Sequence, residues 1–378
     1  MNDKNAFTFI DLFAGIGGMR KGFEDIGGKC VFTSERDIYA QATYRTNYSC
    51  VDHRIRGDIT TIPSEDIPSH DVLLAGFPCQ PFSLAGMPSR KRTGKQSGFA
   101  CPSQGFLFFE IARILDFHRP RAFLLENVKN LVTHDSGKTW RIILQALSGD
   151  LGYHVRFRVL NARFWVPQNR ARVFIMGFRE ETGFDFGALT LPDLSHALIL
   201  QDILHPQDGT EEAELPYTQG KRGIVSERYT LTDTLWMSFQ KHRERHRAKG
   251  NGFGFCLCRP DGIAPTLTAH YAQGGSEILI PQPRRNPRRL TPRECSRLMG
   301  FDRSKESKFQ IPVSDTQAWR QFGNAVVVPV VEAIAKHMAP RIRMSSSNTC
   351  SYLQQTSEKQ KIPLLFPGYP NLLQEHHP

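Results

Sequence analysis

The 378-residue sequence predicts an α/β protein built on a doubly wound, mostly parallel sheet, with a smaller loop-rich lobe attached. Three observations carry this. From Phe7 to Phe178, short β-rich runs alternate with amphipathic stretches. From about Glu180 to Arg289 the alternation fades while glycine, proline and charged residues rise. Regular patterning then returns at LTPRECSRLMGF and VVVPVVEAIAKHM. Strands separated by helices must mostly run parallel, with helices on both faces.

In chain order, FTFIDLF reads as a strand followed by a helix through Gly22, and CVFTSE as a strand followed by a helix through Ala42. DVLLAGF is a buried-type strand, with a helix after it from about Gly105 to Phe117. AFLLEN, TWRIILQALSGD, YHVRFRVLNA and ARVFIMGF continue the pattern. In the returning segment Val330, Val331, Ile334, Ala335 and Met338 recur at helical spacing behind Pro329, a good first-turn residue. The expected organisation is a sheet domain over residues 1–180, a basic lobe over 181–289 containing KHRERHRAKGNGFGF and PQPRRNPRRL, a return to the sheet over 290–340, and a solvated tail over 341–378.

No apolar run is long enough to span a membrane, and MNDKNAFTFIDLF lacks the features of a secretion signal, so an intracellular, cytoplasmic protein is expected. Eight cysteines are scattered without a framework. Cys256 and Cys258, separated by one residue, have no matching pair at zinc spacing, so reduced thiols and no metal are expected. A formal charge of +11 favours a polyanionic partner, because neutralising phosphates releases counterions.

Asp11-Leu12-Phe13-Ala14-Gly15-Ile16-Gly17-Gly18 ends a strand and opens a helix, where glycines let the backbone approach a nucleotide-like ligand. Its GxGG spacing is not the dinucleotide fingerprint. Glu35 and Asp58, at the ends of the next two strands, are placed to accept from ribose hydroxyls and an adenine amine. Gly76-Phe77-Pro78-Cys79-Gln80-Pro81-Phe82-Ser83 puts a thiol on a loop at the carboxyl end of the sheet, with flanking prolines fixing its backbone. A lone cysteine is ordinarily a small core hydrophobe, but this position favours chemistry. Glu126 ends another apolar strand at the same rim, where desolvation would keep it protonated. Gln168-Asn169-Arg170-Ala171-Arg172 aims two guanidinium forks at that rim.

DLFAGIGG, PCQPFS, ENV, QNRAR and FGNAVVVP, in this order and spanning residues 7 to about 338, resemble the motif set of the DNA cytosine-5 methyltransferases. The resemblance implies a Rossmann-like S-adenosylmethionine-dependent methyltransferase fold whose lobe recognises the target. It also implies duplex DNA as partner and S-adenosylhomocysteine as co-product. Phe13 would stack on adenine, with Gly15 and Gly17 shaping the loop, Glu35 on the ribose and Asp58 on the adenine amine. Asn324 would contact the catalytic loop and complete the site, and is counted with the cofactor set. Cys79 would be the nucleophile, its loop shaped by Pro78. Glu126 would hold the ring N3 and amine of cytosine, Arg172 its 2-oxo group, and Arg170 the site and nearby backbone. Gln80, Ser83, Arg90 and Arg92 would meet DNA.

Carbon 5 of cytosine is too weak a nucleophile to take a methyl unaided, and a thiolate adding at carbon 6 activates it. An acid at N3 and a cation at the oxygen receive the displaced electron density. The ring cannot be reached inside a duplex, so base flipping is implied. The loop from Ser83 to Phe99, with Arg90, Lys91, Arg92 and Lys95, suits closure over DNA. RYTLT, KGNGFGF, PRRLTPRECSRLMGF and IPVSDTQAWRQFGN look like the Dcm-type branch, which implies the second cytosine of CC(A/T)GG as target, though KGNGFGF also resembles members that read CCGG. A monomer is expected, with a cognate restriction endonuclease as a candidate second partner. The competing readings are an RNA (tRNA) cytosine-5 methyltransferase and a non-catalytic sequence-specific DNA-binding protein.

Overall fold

The computed structural model describes residues 7–50, 53–78, 107–252, 254–303 and 305–343. In its first half, strand and helix alternate as the sequence pattern requires: β1 (Thr8–Leu12), α1 (Gly18–Glu24), β2 (Lys29–Ser34), α2 (Ile38–Asn47), β3 (Ile55–Arg56) and β4 (Val72–Gly76). They are followed by α3 (Leu107–His118), β5 (Ala122–Val128), α4 (Lys138–Leu144), β6 (His154–Asn161) and β7 (Ala171–Phe178).

The seven strands form one sheet in the order β3-β2-β1-β4-β5-β7-β6, parallel except for β7, which runs against both neighbours. The chain winds outward from β1 through β2 to β3, then returns to the other side of β1 at β4. Connections therefore leave β1 and β4 in opposite directions and open a crevice beyond their carboxyl ends. Because β7 is antiparallel, its first residues reach the same rim where β5 ends.

Side chains alternate across the sheet with the period of two that a strand imposes. Phe9, Val72, Leu74, Ala122, Leu124, Phe174 and Met176 face one core, and Ile10, Leu73, Ala75, Phe123, Leu125, Val173 and Ile175 the other. The first core is covered by α1 and by the chain's return through α6 (Pro292–Leu298), α7 (Asp315–Asn324) and α8 (Val328–Ile342). The fit is close: a Cβ on Gly22 of α1 would stand 2.8 Å from Val331 Cγ1. Pro329 sits in the first turn of α8, and Val330, Val331, Ile334, Ala335 and Met338 are all buried.

Between the sheet and its return lie a two-stranded pair, β8 (Thr218–Gln219) with β9 (Ile224–Val225), the helix α5 (Asp233–Ala248), and a hairpin, β10 (Ile280–Gln282) with β11 (Arg285–Arg288). Buried residues such as Tyr229, Leu267, Tyr271 and Ile278 from this stretch share the core that holds α8. Two helices depart from expectation. Residues 233–248, read as loop, form α5, and α7 was not anticipated. Helix α5 buries no residue, so it lacks the apolar stripe that periodicity would detect. The expected tail over 341–378 lies outside the described residues beyond Arg343.

Helix α6 is buried along its whole length, charged residues included. Arg288 pairs with Glu294 at 2.7 Å, Arg293 with Asp302 and Glu214, and Arg297 with Glu211. The backbone N–H of His205 donates to Glu294 at 3.0 Å. Each buried charge thus has a partner, and the pairs join residues 205–214 to the returning segment. Removing one partner of such a pair costs about 3–5 kcal/mol.

Gly323 closes α7 against the backbone of residues 268–269: a Cβ there would lie 2.3 Å from the Thr268 carbonyl atoms and 2.4 Å from Ala269 N. Gly323→Ala should lose about 1–3 kcal/mol of stability through overpacking. Gly252→Ala, with nothing within 4 Å, should change it little. Urea unfolding midpoints of the two variants check the contrast.

Candidate active site

Every strand that ends at the crevice delivers a polar or small residue to it. On the face that carries Phe9, Leu74 and Leu124, the next positions outward are Asp11 on β1, Gly76 on β4 and Glu126 on β5. Arg172 of β7 joins the same row, and all four line a cleft of about 520 Å³, a size suited to a small-molecule site. Gly76 is in register with Glu126, and having no side chain it leaves the space before that carboxyl open: even a Cβ would be 3.7 Å from Oε2.

Glu126 is buried, and its Oε1 lies 3.1 Å from Arg172 Nε. Burial pushes the carboxyl above its usual range, while Arg172 and Arg170 pull the other way. Desolvation prevails, which favours a proton on a group aimed into the cleft. Arg172 Nη1 donates to the Ala171 carbonyl at 2.9 Å, fixing the fork.

Arg170 is also buried, and burial together with its neighbour Arg172 lowers its guanidinium to about 9, still charged at neutral pH. It donates to three carbonyls: Leu267 at 2.6 Å, Gly323 at 3.0 Å and Ala325 at 2.8 Å. It therefore ties the start of β7 to two distant stretches of chain and acts as a positioning residue for the cleft wall.

On the other side of the crevice, Phe13, Gly15, Glu35, Asp58 and Asn324 line the same cleft. Phe13 has φ 52°, a strained value that turns the loop back over the end of β1. Glu35 accepts from the Gly15 N–H at 2.8 Å and from the Asp37 N–H at 2.7 Å, which pins the acid to the glycine loop. Asp58 accepts from the Thr60 N–H at 3.0 Å, the contact chiefly responsible for lowering its pKa. Gly17 faces away: it starts α1 at φ 85°, and a Cβ there would strike the Tyr48 ring.

Pro78 lines the cleft as the last described residue of its loop. Cys79, Gln80, Ser83, Arg90 and Arg92, with the rest of the basic loop, lie outside the described residues.

Sequence reasoning passed over several residues that build the site. Asn127 donates its side-chain N–H to the Phe77 carbonyl at 2.7 Å, tying β5 to the chain two residues before Cys79. Gln168, buried and fully paired, accepts from the Leu267 N–H at 2.9 Å and donates to the Leu298 carbonyl at 3.2 Å. Both stand inside motifs already noted, so their polarity at strand ends was the available signal. Gln321 and Arg320 of α7 also line the cleft, and nothing local in the sequence marks them.

A family model described as C-5 cytosine-specific DNA methylase matches residues 7–339. The DNA-cytosine methyltransferase of Escherichia coli (strain K12) is 43% identical over 388 residues, covering 90% of this chain and 79% of that protein. Type II methyltransferase M.NlaX of Neisseria lactamica is 45% identical over 337 residues, covering 88% and 96%. The crystal structure of S. pombe Dnmt2 methyltransferase shares the fold at a TM-score of 0.64, with 19% identity over 89% of this chain and 99% of that one. The chain therefore belongs to the C-5 cytosine-specific DNA methylase family and is a DNA-cytosine methyltransferase.

The family implies S-adenosylmethionine, and the residues present fit it. The cleft sits at the switch point of the sheet, with a carboxylate on the glycine loop. Gln321, at its wall, has a buried Nε2 with no hydrogen-bond partner among the described residues, the kind of donor a polar ligand satisfies. Among the described residues no helix is long and apolar enough to cross a membrane.

Asp11, at the floor of the cleft, is fully buried and pushed up to about 8 by desolvation, despite accepting from Tyr44 Oη at 3.1 Å. Its folded pKa lies above the unfolded value of about 4, so its contribution to stability is complete below that pH and is lost as pH rises through 8. Asp11→Asn cannot ionise. Its stability relative to the wild type should rise between about pH 4 and 8 and level off above, measured by thermal melts from about pH 4 to 9.

Proposed function

We propose that the chain methylates carbon 5 of a flipped-out cytosine in a short duplex sequence through a covalent adduct with Cys79. The observation that carries this reading is the pairing of buried Glu126 with half-buried Arg172 in the cleft that Pro78, the residue before Cys79, also lines. An acid whose proton is held more tightly by burial, next to a fixed cation, is what an electron-accepting pyrimidine ring requires.

In this mechanism the Cys79 thiolate adds to carbon 6 and the 5,6 double-bond electrons move toward carbon 5. Glu126 donates to N3, and Arg172 meets the 2-oxo group, so that charge entering the ring is neutralised as it develops. Phe13, Gly15, Glu35, Asp58 and Asn324 would hold S-adenosylmethionine, which would supply the electrophilic methyl group for carbon 5, with S-adenosylhomocysteine as co-product. Loss of the carbon-5 proton to water then returns its electron pair to the ring and expels the Cys79 thiolate, while N3 gives its proton back to Glu126. Arg170 and Asn127 act indirectly, by fixing the wall and the loop. The chemistry needs no metal.

The base must leave the stack to reach this cleft, at a cost of a few kcal/mol. Residues 1–180 and 290–340 would form the catalytic domain, and 181–289 the target-recognition lobe. The basic loop carrying Gln80, Ser83, Arg90 and Arg92 would close on the DNA. The Dcm-like segments support the second cytosine of CC(A/T)GG as the target. The enzyme would act as a monomer in a prokaryotic cytoplasm at the nucleoid, beside a cognate restriction endonuclease.

Bisulfite sequencing of plasmid from methylation-deficient cells expressing the chain tests this. Wild type should protect one cytosine in a fixed context, and Cys79→Ser none. Marks in another context would overturn the target, and methylated tRNA with unmarked DNA would overturn the substrate. Glu126→Gln should lower turnover on the order of 10²–10⁴-fold, the range for a lost proton donor. With 5-fluorocytosine at the target, no carbon-5 proton can depart. Wild type should therefore remain bound to the DNA on a denaturing gel, and Cys79→Ser should not.

A further inference from the structure

Helix α5 is anchored on one side only. Trp236 packs edge-on against Phe255 at 4.6 Å between ring centroids, and Arg243 covers the other part of that ring at 4.7 Å. His246 pairs with Asn251 at 2.6 Å. Phe239 approaches Gly274, where a Cβ would stand 3.3 Å from its ring. These contacts hold the stripe at 236, 239, 243 and 246.

Opposite that stripe, the helical repeat brings Thr234, Ser238, Lys241, Arg245 and the C-cap residue Lys249 onto one exposed surface. Lys241, Arg245 and Lys249 follow at intervals of four residues. They stand about 6 Å apart along the axis, a step comparable with that between neighbouring phosphates on a strand. None of the three forms an ion pair among the described residues. By contrast Arg20, Arg113, Arg172, Arg288, Arg293 and Arg297 are each paired with a carboxylate.

We propose that this ridge of α5 docks on the DNA backbone: Lys241, Arg245 and Lys249 take consecutive phosphates of one strand, with Ser238 and Thr234 extending the row as hydroxyl donors. The inference rests on duplex DNA being the substrate, and it assigns α5 to holding the duplex rather than reading it. A short row of point charges and hydroxyls matches phosphate oxygens, which are alike at every base pair. The exposed Met237 stands beside the row and offers no hydrogen bond to a base edge.

The test is a K241Q/R245Q/K249Q variant, since glutamine keeps helix propensity while removing charge. A K241R/K249R variant controls for fold and charge, and matched thermal melts establish that both are intact. Binding of the full chain to a fluorescent duplex containing the target and to a scrambled duplex is titrated from 50 to 300 mM KCl. Each lost phosphate contact should flatten the slope of log K against log salt by about 0.9, so the triple variant should lose nearly three units on both duplexes, while the arginine variant keeps the wild-type slope. The ratio of the two affinities, and the context of bisulfite marks, should stay as in the wild type. An unchanged slope overturns the proposal, as does an altered target context, which would make α5 a base reader. Wild type that marks no DNA at all would instead overturn the DNA reading, an outcome distinct from either.

Discussion

Arg170 holds together three parts of the chain that are far apart in sequence. Its guanidinium is buried at the start of β7, and its nitrogens go to the carbonyls of Leu267, Gly323 and Ala325. The Leu267 and Gly323 carbonyls are buried, and an acceptor there needs a donor from within the protein. One charged fork therefore satisfies several acceptors at once and sets where the returning helices meet the sheet. Gln168, two residues earlier, repeats the device with neutral groups, bridging Leu267 and Leu298. The cleft exists because these joints fix α7 opposite the glycine loop.

The same desolvation that makes the joints costly gives the site its chemistry. Glu126 and Arg172 extend the row that begins with Leu124 and Phe174 in the apolar core, so burial desolvates them in part before any ligand arrives. A carboxyl there is held above its ordinary range even with a guanidinium at 3.1 Å. Asp11 is pushed up by the same cause one strand further over. The sheet face thus changes within one residue of each strand from core to reactive rim.

Residues 181–289 face a different constraint. They contain little regular structure, and their attachment relies on charge as much as on apolar contact. Glu211 and Glu214 meet the buried arginines of α6, and Tyr229 and Tyr271 pack edge-on against Trp319 of α7. A stretch held in this way keeps its place against the catalytic wall while leaving its outer surface, α5 included, for contact with a partner.

Much of this was legible in the sequence because it follows from short-range rules. Alternation of β-rich and amphipathic runs fixed a doubly wound sheet, and a motif at a strand's end is carried to the rim whatever lies between, so Phe13, Gly15, Glu35, Asp58, Pro78, Glu126 and Arg172 were readable as one site. Asn324 could be placed only through the resemblance of its segment. What pattern could not supply was anything that depends on contacts across the chain. Helix α5 has no apolar period, because it is held by scattered contacts, chiefly Phe255 against Trp236 and Arg243, rather than by a buried stripe. Gly17 faces Tyr48 rather than the cleft, a matter of loop curvature. The roles of Arg170, Gln168, Asn127 and Gln321 reside in partners 50 to 150 or more residues away, or in the absence of one. The sequence by itself determined the alternating elements of the sheet domain and which of their ends carry chemistry, since both follow from local periodicity. Only the tertiary structure decided which buried polar groups are spent on holding the fold and which remain for a ligand, since hydrogen-bond satisfaction is a property of the whole assembled chain.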